Sequence, residues 1–205
     1  MIVLHGRNDS TNVQKVLWLF DELGLEYERI DRGASFGGLD TPEYKALNPN
    51  SRVPTIEHDG LVMWESHAIL RHYARLHPKA GMLPSDPADM LRVDMALDWN
   101  HLVLWAGFRL AYLKLATGQA EKGDPAVTAE LEAGARNFAG FEWLLGDRPH
   151  VGGAAFSIGD IPLAVSVHRY LWMGGSLENW PKVQAWHERV SARPAYAARM
   201  IARAS

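Results

Sequence analysis

Cysteine is absent from all 205 residues. That absence excludes disulfides, thiolate metal sites and a protein thiol nucleophile, so any sulfur chemistry needs a thiol brought from outside. Basic residues are in no excess: 21 Lys and Arg face 24 Asp and Glu, for a formal net charge of -3. Such a chain carries no electrostatic footprint for nucleic acid or an anionic membrane, and neither is expected as a partner. Long apolar runs are missing, and the start of the chain turns polar after His5. Neither a signal peptide nor a transmembrane span is expected, which makes a soluble, cytoplasmic protein the default. Metal-ligand spacing is missing as well. Of nine histidines, His67, His72 and His77 recur every five residues and drift around a helix, while His101, His168 and His187 are scattered; no metal is expected. What remains, 47% hydrophobic and 22% charged residues, is ordinary globular material. The length suffices for one large domain or two small ones.

The chain reads as two unlike halves. A β-like run, Ile2–His5, is followed by a polar loop, and Ser10-Thr11-Asn12 can cap a helix carrying Val13, Val16, Leu17 and Phe20 at helical spacing. Gly24 is a stop and Tyr27–Asp31 a second strand, so the opening is βαβ with a parallel pair. A glycine-rich loop through Gly33, Gly37 and Gly38 leads to Asn48-Pro49. A strand around Thr55–Glu57, the turn Asp59-Gly60 and a strand Leu61–Trp64 then form a hairpin. Glu65-Ser66 opens a helix through Ile69, Leu70 and Tyr73. From Pro78 to Asp89, three prolines and a glycine mark a linker. Beyond it only helical periodicity remains, over Leu91–Ala116, Pro125–Leu145, Ser157–Met173 and Pro181–Val190, with Pro194 interrupting before a short piece near Tyr196–Ala204. Within this half, Ser157-x-x-Asp160 reads as a structural capping box stapled by Phe156 and Ile161, and Trp172 and Trp186 read as core anchors.

Three constellations carry chemistry. In Arg52-Val53-Pro54-Thr55 the proline belongs at a strand start or edge, because it lacks a donor. Local sequence favours an ordinary trans bond, whereas a cis bond would expose the Val53 N–H and C=O to a ligand. Glu65-Ser66 at a helix start pairs a carboxylate for an ammonium with capping groups for a carboxylate, which suits an amino acid head group; a plain cap with an exposed glutamate is the alternative. Ser10-Thr11-Asn12 brings hydroxyl, amide and helix N-terminus to one spot able to stabilise an anion such as a thiolate, and one of the three is also the N-cap.

Val53-Pro54, Glu65-Ser66-His67-Ala68-Ile69 after Leu61–Trp64, and Asn48-Pro49 upstream together resemble the glutathione-site region of the glutathione transferases. Ser10-Thr11-Asn12-Val13 with Lys15-Val16-Leu17 resembles serine-type members, especially bacterial and plant ones. The resemblance implies an α/β thioredoxin-like N-terminal domain over 1–77, a linker over 78–88, and an all-α C-terminal helical bundle over 89–205 that holds the electrophile. It implies a homodimer that conjugates glutathione, as co-substrate, to small hydrophobic electrophiles in detoxification, with no covalently bound cofactor. Val53 would pair with the cysteinyl part of the tripeptide, and Glu65 and Ser66 would hold its γ-glutamyl ammonium and carboxylate. Ser10 would donate to the sulfur, with Asn12 as second donor or replacement and Thr11 as fallback. The chain has Leu39 and Asp40 where plant serine-type members have a His-Lys pair, so Arg52 is the candidate positive charge instead.

Trp105, Phe108, Arg109 and Tyr112 lie on the first long helix of the second half and are candidates for the second substrate, or for core or dimer interface. Two other functions remain open on the same residues. One is glutathione-dependent peroxidase or disulfide-bond reductase work, which without a protein cysteine needs a second glutathione or a mixed disulfide. The other is a non-catalytic binding or assembly module.

Overall fold

A computed structural model describes residues 1–200, which divide into two units: Met1–Ala80 together with residues 197–200, and Gly81–Tyr196. The first unit starts with β1 (Ile2–His5), helix α1 (Thr11–Leu23) and β2 (Tyr27–Ile30), with β1 and β2 parallel. Gly24 ends α1 in the left-handed region at φ 63, and the Leu25 N–H returns to the Phe20 carbonyl at 2.9 Å. This closes the helix as a Schellman turn, a conformation that costs glycine least. Eight consecutive α1 residues, Val13 to Phe20, are buried, two of them polar: Gln14 and Lys15. β3 (Thr55–His58) and β4 (Leu61–Trp64) form the expected hairpin across Asp59-Gly60, and α3 (Ser66–Leu76) follows. The sheet order is β2-β1-β3-β4, with β3 antiparallel to both neighbours.

The glycine-rich loop holds more structure than its composition suggests. A 3-10 turn spans Ala34–Phe36, and a helix, α2, spans Pro42–Leu47. Six residues are too few to show a helical period. The signal was local: Thr41 accepts the Tyr44 N–H at 3.2 Å, Pro42 takes the first helical position, and Glu43 lies in the first turn. α2 matters because it buries Tyr44, whose hydroxyl donates to the Arg52 carbonyl at 2.6 Å. Asn48 Nδ2 donates to that same carbonyl at 3.0 Å.

The second unit is helical: α4 (Pro87–Trp99), α5 (Arg109–Ala116), α6 (Pro125–Ala135), α7 (Phe138–Leu145), α8 (Asp160–Trp172), α9 (Pro181–Ser191) and α10 (Pro194–Arg199). The expected stretch Leu91–Ala116 is broken by a turn at 105–108 that follows a π-helical turn, Asn100–Leu104, where Trp105 N–H reaches back to the Asn100 carbonyl. Pro194 begins α10 rather than interrupting before it, since its fixed φ suits a first turn; residues 201–204 of that expectation lie outside the described residues. In the first unit Pro78–Ala80 is a 3-10 turn after α3, and within the second unit the Met82 carbonyl accepts the Ile158 N–H at 3.0 Å.

α8 starts at Asp160, not Ser157, because the aspartate gathers the preceding turn onto itself. Its carboxylate accepts from Ser157 N–H at 2.9 Å, Ser157 Oγ at 3.1 Å, Val151 N–H at 3.1 Å and Trp186 Nε1 at 2.8 Å. Asp160 and Trp186 are both fully buried, a structural role for each. Trp172 corrects the expectation of a second anchor: it is only half-buried, with the Lys122 ammonium 4.6 Å from its ring centre.

Candidate functional site

Three chain exits are brought to one end of the sheet by strand register. His5, the last residue of β1, lies opposite Thr55, the first of β3, and Thr55 lies opposite Trp64, the last of β4. The loop to Ser10 leaves after His5, Val53-Pro54 arrives before Thr55, and Glu65 follows Trp64. Each constellation read from the sequence therefore starts from the same row. Gly6 lets two of them approach further: a Cβ there would lie 2.5 Å from Val13 Cγ2 and 3.3 Å from Val53 Cβ. No larger residue fits between the β1–α1 loop and Val53.

Ser10 occupies the N-cap of α1, with extended backbone at φ -71 and ψ 125, and its carbonyl accepts the Gln14 N–H at 2.9 Å. Its side chain makes no capping hydrogen bond. The hydroxyl thus remains available beside the free N–H groups of the helix start, where partial positive charge collects. Thr11 and Asn12 are half-buried in the first turn. The Arg7–Asp9 ion pair, at 2.9 Å, braces the loop that delivers them.

The Val53–Pro54 bond is cis, which corrects the trans expectation. Isolated X-Pro preferences carry no knowledge of tertiary context; here Tyr44 and Asn48 hold the carbonyl of the preceding residue, Arg52. Among the described residues, neither the N–H nor the C=O of Val53 enters a backbone hydrogen bond. The Arg52 side chain is exposed.

Glu65, not Ser66, is the N-cap of α3, so the expected cap moves by one residue. Its backbone is held at φ 69 and ψ 106, a region that ordinary side chains avoid and that costs about 1–3 kcal/mol. Its side chain makes no capping bond and is solvent-exposed. Ser66 is the first helical residue and is buried, with its hydroxyl at the positive end of α3. An exposed carboxylate next to a helix N-terminus offers separate places for an ammonium and a carboxylate.

Beneath these groups lies a lysine that the sequence reading used only as part of a motif. Lys15 is 1% exposed, with Nζ 2.9 Å from Asn12 Oδ1 and 3.2 Å from His67 Nε2 on α3. Burial strips water from the ammonium and lowers its pKa to about 7, while the Glu65 charge acts in the opposite direction.

The second-substrate candidates are distributed differently. Trp105, Phe108 and Tyr112 are buried within the helical unit, where the Trp105 and Tyr112 ring centres are 5.2 Å apart and Phe108 lies 5.7 Å from Tyr170. Arg109, first residue of α5, is exposed. Core packing accounts for the three aromatics. No group of three or more potential metal ligands exists among the described residues, and no described helix is long and apolar enough to cross a membrane.

Two family models match in order: the glutathione S-transferase N-terminal domain over residues 9–76 and the glutathione S-transferase C-terminal domain over residues 96–194. The glutathione S-transferase GstB of Escherichia coli is 32% identical over 198 residues, covering 95% of each chain. The chain belongs to the glutathione S-transferase family. Among other family members, glutathione S-transferase 3 of Zea mays is 28% identical over 94% of this chain and 90% of its own. The theta class glutathione S-transferase from Xanthomonas axonopodis pv. citri, solved with glutathione bound, superposes with a TM-score of 0.87 at 33% identity. That match covers 98% of this chain and 97% of the other. Within this glutathione S-transferase, the resemblance drawn from Ser10, Val53-Pro54 and Glu65-Ser66 identified the family, and the mixed sheet followed by helices is the fold it implied. Lys15 was legible in one respect: a charge placed between Val13, Val16 and Leu17 on the apolar side of α1 has no solvent to face.

Proposed function

We propose that the protein catalyses attack of the glutathione thiolate on small hydrophobic electrophiles, and that Ser10, Val53, Glu65 and Ser66 are the residues that hold the tripeptide. The observation that carries this reading is the shared His5–Thr55–Trp64 row, from which three sets of unused hydrogen-bonding groups depart. The Val53 N–H and C=O match the backbone of an extended peptide. The Glu65 carboxylate and the α3 N-terminus with Ser66 match the ammonium and carboxylate of an amino acid head group. The Ser10 hydroxyl, at the start of α1, donates to sulfur, with Asn12 as second donor and Thr11 as fallback. Arg52, exposed before Val53, supplies positive charge for the remaining carboxylate of the tripeptide.

In the reaction the thiol loses its proton to water, the sulfur forms a bond to the electrophilic carbon, and a leaving group such as halide departs. Lowering a thiol pKa from about 8.5 to about 6.5 raises the thiolate fraction at pH 7 roughly 25-fold. The weaker basicity takes back about 8-fold in nucleophilicity, so activation nets only about 3-fold. Holding the electrophile against the sulfur therefore supplies most of the acceleration. We assign that task to the helical unit, with Arg109 as its exposed member and Trp105, Phe108 and Tyr112 as the packing behind it.

The same reading places the enzyme in the cytoplasm, in detoxification, as a homodimer. Apolar exposure on the first unit supports a partner surface: Leu61 is 56% exposed, Val62 43% and Trp64 40%, and the last two line a cavity of about 440 Å³ with Met63, Ala68, Ile69 and His72. The deciding experiment measures glutathione binding and aryl halide conjugation beside hydroperoxide and glutathione disulfide turnover. Conjugation that falls on Ser10→Ala supports the reading. Absence of both binding and conjugation ends it, and dominant hydroperoxide or disulfide turnover redirects it to redox work.

A further inference from the structure

Lys15 is a buried, chemistry-bearing group for which the glutathione reading leaves no role. An ammonium has only donors to offer. With Nζ donating to Asn12 Oδ1 at 2.9 Å, the amide of Asn12 faces Lys15 through its oxygen, and its NH2 is the end left over. Among the described residues, that NH2 has no hydrogen-bond partner. Asn12 lies two residues beyond Ser10 in the first turn of α1, on the spot assigned to the sulfur. The second contact, to His67 Nε2 at 3.2 Å, reaches the helix that Glu65 caps and Ser66 begins. A methionine of similar length would fill the same space without desolvating a charge.

We propose that Lys15 is a positioning residue for the incoming thiol: it grips the Asn12 amide by its oxygen, so that the NH2 is presented as a second sulfur donor beside the Ser10 hydroxyl, and through His67 it ties that arrangement to α3. The proposal rests on the glutathione reading above. The contacts need a donor on Lys15, which both its protonation states retain. The charged and titratable groups acting on it are Glu65, the N-cap of α3, and His67 on α3.

The test uses the full chain and glutathione itself. Nuclear magnetic resonance of the unliganded protein reads the Asn12 side-chain amide, and ultraviolet absorbance reads the thiolate-to-thiol ratio of bound glutathione at fixed pH. Lys15→Met should release the amide and lower that ratio about fivefold, the factor set by one ordinary hydrogen bond. Glutathione affinity, carried by Val53, Glu65 and Ser66, should change far less. Lys15→Gln, which keeps a donor without the charge, should restore most of the ratio. Asn12→Ala should match Lys15→Met, and combining the two should add nothing, as expected for groups acting in series.

Asn12→Asp supplies an independent route that leaves Lys15 in place. A carboxylate keeps the lysine's partner but has no donor for sulfur, so the ratio should fall as with Asn12→Ala. A ratio unchanged in Lys15→Met or Asn12→Asp, or losses that multiply in the double variant, overturns the proposal. If the unmodified protein binds no glutathione, the functional reading falls and takes the proposal with it. If it binds and ionises glutathione equally well without Lys15, only the proposal falls.

Discussion

Two of the buried charged side chains, one in each unit, are treated in opposite ways. Asp160 in the helical unit is fully buried and accepts four donors, from Val151, Ser157 twice, and Trp186. Lys15 in the first unit is as deeply buried but, among the described residues, meets only the amide of Asn12 and the imidazole of His67 at hydrogen-bond distance. A carboxylate so completely satisfied is locked, and it locks α8, α9 and the turn before them together. A lysine held by an amide and an imidazole, without a carboxylate at hydrogen-bond distance, keeps an ordinary basicity only if water reaches it, and here its pKa drops to about 7. The contrast separates a buried charge that organises a core from one placed behind the proposed glutathione site.

The sharpest way to test that contrast is to remove each charge. Asp160→Ala should cost about 4 kcal/mol of unfolding free energy, because it leaves two buried N–H groups and an indole N–H without an acceptor. Urea unfolding checks this, and a loss below about 1 kcal/mol would mean the network is slack. Lys15→Met should move stability the other way, raising it by roughly 3 kcal/mol near neutral pH. The sign follows from linkage. A lysine whose folded pKa lies below its unfolded value penalises the folded state at and below pH 7, and the penalty fades as pH rises toward 10. The advantage of Lys15→Met should therefore shrink between pH 7 and pH 10, and a gap independent of pH would contradict the lowered pKa.

Smaller effects belong to the groups proposed to meet substrate. Ser66→Ala should weaken glutathione about tenfold in calorimetric titration, since a hydrogen bond to a charged group is lost, while removing one hydroxyl oxygen from the helix start changes stability far less. An unaltered affinity would remove Ser66 from the head-group site. Ser10→Ala should lower conjugation of an aryl halide only about threefold at neutral pH, because gained thiolate and lost nucleophilicity nearly cancel. A drop of a hundredfold or more would show that Ser10 also stabilises charge at the transition state, which assigns the α1 terminus a larger part than thiol acidification.

Much of the fold was legible because its signals are local or periodic. The βαβ opening, Gly24 and the Asp59-Gly60 hairpin each depend on a few adjacent residues whose backbone preferences agree. α2 escaped because six residues cannot display a period, although Thr41-Pro42 marked its start. The interruption of the Leu91–Ala116 helix falls in the turn at 105–108 after the Asn100–Leu104 π-turn, where Gly107 is a weak local marker. For the site, residue types at Ser10, Val53-Pro54 and Glu65-Ser66 could be read directly. Which of Glu65 and Ser66 caps α3, and which isomer Val53–Pro54 adopts, could not, because both are choices of backbone conformation that residue type leaves open.

The complete absence of cysteine by itself determined that the reactive sulfur must be a borrowed one, since no fold can create a thiol the chain lacks. Sequence likewise determined the order of a mixed α/β unit and a helical unit, through periodicities that survive in a linear string. Tertiary structure alone decided that His5, Thr55 and Trp64 form one row, and so that three separated motifs leave the sheet at the same end. It alone also decided that Lys15 is cut off from water and hydrogen-bonded to Asn12 and His67. Burial and register are properties of how segments meet, and a lysine's basicity depends on what surrounds it rather than on its neighbours in the chain.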